Sequence, residues 1–414
     1  MYKKNEITSL LSTYLKKIPN NYYFILSAKI ILAGISFIIM KIVQARFGQD
    51  LFDNYLLILR YSGFLVPMIV LGLGISIPRY VSFQMHKDKT FSNISYIVDT
   101  GMVVISMSII FVLIFGLFLN TLINIDAYLF NGQEYFSLLL VYSVGLALFC
   151  FAYAVMVAFE EIRLIEIIKI VIVGFGALSF VLILKNLSQY LFVFTILNVI
   201  IFIFVIFRKK IKFTKKVNKD LIYFGLKRVA GEVMYPLLLS IPIVFSVNQI
   251  GLSYAAELSF YFMITNVFIL IINPVSTILL TKAVTIFESK TKLYEFLKFG
   301  IITSAVLSIL FQITSPIIAD IFGYNLDIYN SIVLSVIVFL LSLFVWIRNI
   351  INSEAVTPYL LRFTCFAVGF EILFIFFVSN KFNVDVIFSY LFAVLILCVL
   401  TVQRYIVIYK NANK

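Results

Sequence analysis

The chain has 414 residues, of which 62% are apolar and only 13% charged, with a net charge of +13. Its mean hydropathy is +1.07. No soluble domain can hide that much apolar surface, so the composition excludes an ordinary globular enzyme or a soluble nucleic-acid binder and points to a polytopic membrane protein.

About twelve apolar runs of roughly 20 residues can be drawn, each long enough to cross a ~30 Å hydrocarbon core. In chain order they are Tyr22–Val43, Asn54–Ile75, Ile94–Leu119, Tyr135–Val157, Leu164–Leu184 and Ser188–Phe207, then Leu221–Val247, Leu258–Leu280, Tyr294–Ile313, Tyr329–Arg348, Tyr359–Ser379 and Val386–Ile406. The boundary between the fifth and sixth rests only on Lys185, Asn186 and Ser188. The runs do not alternate apolar with polar residues, so they read as helices rather than barrel strands. The expected fold is all-α, with about twelve transmembrane helices.

Nearly all Lys and Arg fall at every second junction. One set holds Lys16, Lys17, Arg79, Lys87, Arg163, Lys169, the dense block Arg208–Arg228, Lys282, Arg348, Arg404 and Lys410; the intervening junctions hold only Arg46, Lys185 and Lys381. This positive-inside asymmetry places both termini in the cytoplasm of a bacterial inner membrane. The cationic loops meet anionic lipid, so no nucleic-acid partner is implied. The loops Asn120–Glu134 and Thr314–Tyr329 are too short to form an outer domain.

Catalytic motifs are missing from the sequence. His86 stands alone in a loop, and there is no H-E-x-x-H, paired C-x-x-C or phosphate-loop pattern. Cys150, Cys365 and Cys398 all lie in apolar runs and read as packing residues. A transporter is therefore a better class than an enzyme.

Aligning Gly48 with Gly251, a shift of 203 residues, matches Gly48–Val81 to Gly251–Val284 without a gap. Each copy has a glycine turn, a polar link, an apolar span and then a cation (Arg79, Lys282). An even number of spans separates the copies, so the repeat is parallel: two six-helix lobes about a pseudo-two-fold axis along the membrane normal. The expected lobes are residues 1–207 and 221–414, joined by a basic linker at 208–220.

The stretch ARFGQDLFDNYLLILRYSGFLVPMIVLGLGISIPRYVSF resembles the first hairpin of the polysaccharide-transporter branch of the MOP superfamily, through Gly48, Tyr55, Gly72, Leu73, Gly74, Arg79 and Tyr80. The segment YFGLKRVAGEV, from Tyr223, resembles the seventh span of that family. Asp53 and Asn54 stand where relatives often have a tyrosine-glycine pair. The resemblance implies a flippase for O-antigen units on undecaprenyl pyrophosphate. Its partners are then membrane lipids, the lipid-linked oligosaccharide, and polysaccharide polymerase and chain-length proteins. Alternatives are a multidrug or metabolite exporter of the same superfamily and, with less support, a membrane glycan polymerase.

Moving a pyrophosphate and a glycan through hydrocarbon requires a hydrated cavity with cations. Ionisable residues within spans are costly unless they face such a cavity or a partner. Lys29, Lys41 and Arg60 are the candidate cationic path, although Lys41 and Arg60 can equally snorkel to the outer interface. Glu371, with Glu232 as second choice, is the candidate for H⁺ or Na⁺ coupling. Glu232 is the repeat counterpart of Lys29 and either meets it across the cleft or pairs with Arg228 on its own helix. Pro67, Pro236, Pro242 and Pro274 are candidate kinks for a gate. No cofactor or metal site is expected.

Overall fold

A computed structural model describes residues 20–87, 91–130, 134–213, 217–281, 290–353, 359–379 and 385–411. Among these residues the secondary structure is helical, without strands. The first half contains α1 (Asn20–Phe47), α2 (Gln49–Val70), α3 (Leu73–Lys87), α4 (Phe91–Ile123), the short α5 (Ile125–Phe130) and α6 (Phe136–Ala158). It continues through α7 (Ile162–Ile168), a π-helical segment Lys169–Phe175 and α8 (Gly176–Ile183), and then α9 (Leu187–Lys209). The second half contains α10 (Lys219–Gln249), α11 (Leu252–Thr281), α12 (Lys290–Ile321), α13 (Ile328–Ser353), α14 (Tyr359–Phe374) with a π-helical end Ile375–Ser379, and α15 (Ile387–Asn411).

Nine of the described helical spans are individually long and apolar enough to cross a bilayer, and α2 with the start of α3 forms a tenth, bent by 45°. The other two crossings are α10, whose apolar half is Pro236–Gln249, and α14 with its π-helical end. The fold is therefore twelve crossings in two lobes of six. Long stripes such as Met107, Phe111, Ile114 and Phe118 on α4 stay exposed. In hydrocarbon those side chains face solvent of their own kind.

The structure alters several expected boundaries. Residues 120–130 are not a plain loop. Asp126 is buried, accepts hydrogen bonds from the Phe136 N–H (2.7 Å) and the Asn120 side chain (2.9 Å), and shapes the short helix α5. The loop after the ninth crossing, expected to run over Thr314–Tyr329, is shorter, because α12 continues through Pro316 to Ile321. The bend in the second crossing falls not at Pro67, which lies inside α2, but at Leu71 (φ 50°) and Gly72 (φ 71°). A proline near a helix end removes a donor, yet its carbonyl still accepts the Leu71 N–H at 3.1 Å, so the ladder closes before the chain turns.

Gly48 and Gly251, aligned in the sequence, both hold positive φ (86° and 137°) at the tight turns into α2 and α11. Helices α2 and α11 then pack against each other. The Ser259 hydroxyl donates to the Leu56 carbonyl at 3.2 Å, a pair 203 residues apart. Two residues related by a two-fold axis touch each other only on that axis. The second crossing of each lobe thus meets its counterpart at the centre of the molecule.

Candidate functional site

On one side of the Leu56–Ser259 contact, toward the turns at Gly48 and Gly251, the lobes close on each other. Lys41 of α1 donates to the Ile321 carbonyl and to Gln44 (2.9 Å), and Gln44 donates to the Phe322 carbonyl. Gln49 donates to Asp53 (2.8 Å) and to the Tyr324 hydroxyl (3.1 Å), while Tyr324 donates to Asp53 at 2.9 Å. Phe52 and Phe260 pack on Phe322, whose ring centroid lies 5.9 Å from Phe52 and 4.8 Å from Phe260, and Phe260 lies 5.0 Å from Tyr324. Asp53 is almost fully buried, so its charge is held by these donors rather than by water.

On the other side of that contact lies Arg60. Its guanidinium sits over the ring of Phe262 in the second lobe, 5.7 Å from the centroid, and Phe262 packs on Tyr390 at 4.6 Å. Arg60 therefore turns toward the opposite lobe instead of snorkelling to the outer interface. Among the described residues, the charge that acts on Glu371 is that of Arg60. Glu371 is fully buried between α10 and α15, and neither carboxyl oxygen has a hydrogen-bond partner. A carboxylate in that position is stable only with a cation or a proton nearby.

A second charge cluster lies inside the first lobe. Glu166 of α7 is buried; the Tyr153 hydroxyl donates to its Oε1 at 2.8 Å, and its Oε2 is buried without a hydrogen-bond partner. The charges acting on the half-buried Lys29 are Glu166 and Lys169, and Lys169 also lies 5.0 Å from the centroid of the Phe149 ring. Among the described residues, the charges acting on Lys29 come from its own lobe. The side chains of Glu232, Arg228 and Pro274 lie outside the described residues. Pro236 and Pro242 lie within a continuous α10.

At the opposite end from Tyr324, α3 and the start of α10 are in close contact. The Tyr80 hydroxyl donates to the Asp220 carbonyl at 3.3 Å, and Arg79 lies 4.8 Å from the centroid of the Phe224 ring. The linker is fastened to the first lobe: Glu161 pairs with Arg208 (2.8 Å) and Lys209 (2.6 Å), and Asp99 accepts the Lys212 N–H at 2.8 Å.

Asp53, Tyr324 and Glu166 are absent from the sequence-derived set. Glu166 lies between Arg163 and Lys169, where it reads as one more charge in a polar junction. The signal that separates it is its place inside the apolar run Leu164–Leu184.

No protein-family model matches the sequence, and no curated protein matches it either. Solved structures do match over nearly the full length. An inward-facing multidrug resistance MATE family transporter of the MOP superfamily aligns with TM-score 0.65 and 13% identity, over 93% of this chain and 96% of that one. An outward-facing structure of a multidrug resistance MATE family transporter aligns with TM-score 0.63 and 13% identity, over 94% and 96%. A MOP superfamily transporter from Pyrococcus furiosus aligns with TM-score 0.63 and 12% identity, over 95% and 96%. At these identities the likeness is one of fold.

Proposed function

We propose that this chain is a transporter whose two lobes rock about the Leu56–Ser259 contact to give alternating access. Its cargo in this reading is an undecaprenyl-pyrophosphate-linked surface-polysaccharide unit, carried from the cytoplasmic to the outer leaflet of a bacterial inner membrane. The observation that carries the reading lies beside the central contact, where the Arg60 guanidinium of one lobe sits over the Phe262 ring of the other. A cation exposed there when the lobes part can replace part of the hydration lost by a pyrophosphate, while the polyprenyl tail stays in lipid. That structures of this fold are known in both inward-facing and outward-facing forms supports the rocking motion. Lys29 and Lys41 complete the cationic path, and Glu371 or Glu232 couples the movement to H⁺ or Na⁺. Polymerase and chain-length proteins then act on the delivered unit.

The competing reading is export of soluble drugs or metabolites, which the multidrug resistance transporters among the matching structures favour. Deleting the gene and measuring surface polysaccharide, lipid-linked intermediates and drug susceptibility separates the two. Accumulated lipid-linked units with unchanged drug susceptibility support the flippase. Normal polysaccharide with raised drug sensitivity overturns it.

A further inference from the structure

The pairing of Arg60 with Phe262 is not a packing necessity. Both lie about one helical turn beyond the Leu56–Ser259 hydrogen bond, on the side away from the Gly48 and Gly251 turns. The repeat shift of 203 residues carries Leu59 onto Phe262 and Arg60 onto Met263. The symmetry-related positions are therefore Leu59 and Met263, half-buried apolar side chains packed against the same core cluster that holds Phe262. Leucine and methionine serve there without any charge. A cation on the other side of the axis has a role besides filling space.

The aromatic partner is well fixed. Phe262 is fully buried, its centroid lies 5.7 Å from the guanidinium carbon, and it packs on the equally buried Tyr390 of α15 at 4.6 Å. A guanidinium over a ring is attracted by the electron-rich face, and more strongly when water is excluded. Phe262 thus supplies part of what the half-buried Arg60 loses in hydration. The two partners belong to opposite lobes. Rocking that opens the side of the chain termini pulls them apart, whereas opening at Tyr324, beyond the pivot, leaves them together.

We propose that Phe262 is a latch: its ring holds Arg60 across the lobe interface in the closed transporter and yields it to the phosphates of the cargo when the lobes part. The inference rests on the reading that Arg60 meets an anionic cargo, and it names the residue that regulates that cation. Phe262 is a positioning residue, since it acts only through Arg60. Phosphate oxygens take a guanidinium through charge-assisted hydrogen bonds, which are stronger than its attraction to a ring. An anionic cargo therefore wins the exchange. An uncharged molecule does not, so the latch also selects for a phosphate or pyrophosphate ester.

The test is calorimetric titration of the full chain in neutral-lipid nanodiscs with geranylgeranyl pyrophosphate. Phe262 is replaced in turn by singly, doubly and triply fluorinated phenylalanine. Fluorine draws electron density from the ring face and nearly conserves its shape, so packing is kept while the attraction for Arg60 falls. Affinity should rise stepwise along the series, to roughly fivefold for the triply fluorinated ring, because the cargo then displaces a weaker competitor. A merely structural role for Phe262 would not produce that gradient. A flat or falling series, in protein that still binds the probe, overturns the latch and leaves the cargo reading intact. A gradient of the same size with geranylgeraniol, which lacks the phosphates, also overturns the latch. Failure of the unaltered protein to bind geranylgeranyl pyrophosphate overturns the cargo reading and the latch together.

Discussion

Gly72 and Gly225 touch backbone to backbone: a Cβ on Gly72 would stand 2.4 Å from the Gly225 carbonyl oxygen, and one on Gly225 would stand 2.7 Å from that of Leu71. The two glycines come from the two sequence stretches that carry the family resemblance, and the fold brings those stretches together where α3 meets α10. Gly225→Ala should destabilise the protein by about 1–3 kcal/mol, because backbone cannot move aside as a flexible side chain can. Thermal unfolding in detergent measures this. A wild-type midpoint would mean that the helices separate at little cost.

The closure at the Gly48 and Gly251 turns predicts a gate. Tyr324→Phe removes the hydroxyl that links the second lobe to Asp53. Losing one such bond costs about 0.5–1.5 kcal/mol, enough to raise the open population several-fold. A Phe52→Cys reporter, in a chain lacking Cys150, Cys365 and Cys398, should then react faster with an impermeant thiol reagent from the face opposite the termini. Equal rates with and without the Tyr324 hydroxyl would remove Asp53–Tyr324 from the gate.

Glu371→Gln should abolish ion-driven transport while preserving cargo binding, because it fixes the carboxyl in a neutral form and cancels its attraction for Arg60. Reconstituted vesicles reporting ion flux and lipid-linked oligosaccharide movement decide the matter. Wild-type transport of both by Glu371→Gln would leave Glu232 as the coupling candidate, or no coupling at all.

The linker pair carries a pH prediction. The Glu161 carboxyl is held below the usual carboxylate range, chiefly by the hydrogen bond from Arg208; desolvation partly offsets this, and Lys209 adds to the lowering. A depressed carboxylate stabilises the fold above its unfolded pKa of about 4.3 and loses that contribution as pH falls through the lower folded value. Glu161→Gln should therefore cost at most about 1 kcal/mol at pH 7, since the pair is partly exposed, and nothing below about pH 3. A stability difference that persists in acid would contradict the ion-pair assignment.

Reporter fusions at Lys215 and Ser253 test the charge asymmetry. The first should lie in the cytoplasm and the second outside. Reversed sides would undo the orientation argued from Lys and Arg, and with it the direction of transport.

The order and length of the crossings follow from local sequence, because a ~30 Å apolar slab and the 1.5 Å rise of a helix leave little freedom. The repeat was also legible there: the 203-residue shift found from glycines and cations reappears as the Leu56–Ser259 hydrogen bond. Glu166, inside the fifth run, was not singled out from the sequence. Which charges meet is a different matter. A helical side chain chooses its neighbours by the rotation of its helix and the angle at which it crosses others, and both are set by packing between surfaces far apart in sequence. Only the tertiary structure could turn Arg60 away from the interface toward Phe262 and bury Asp53 under Tyr324, a residue 271 positions away.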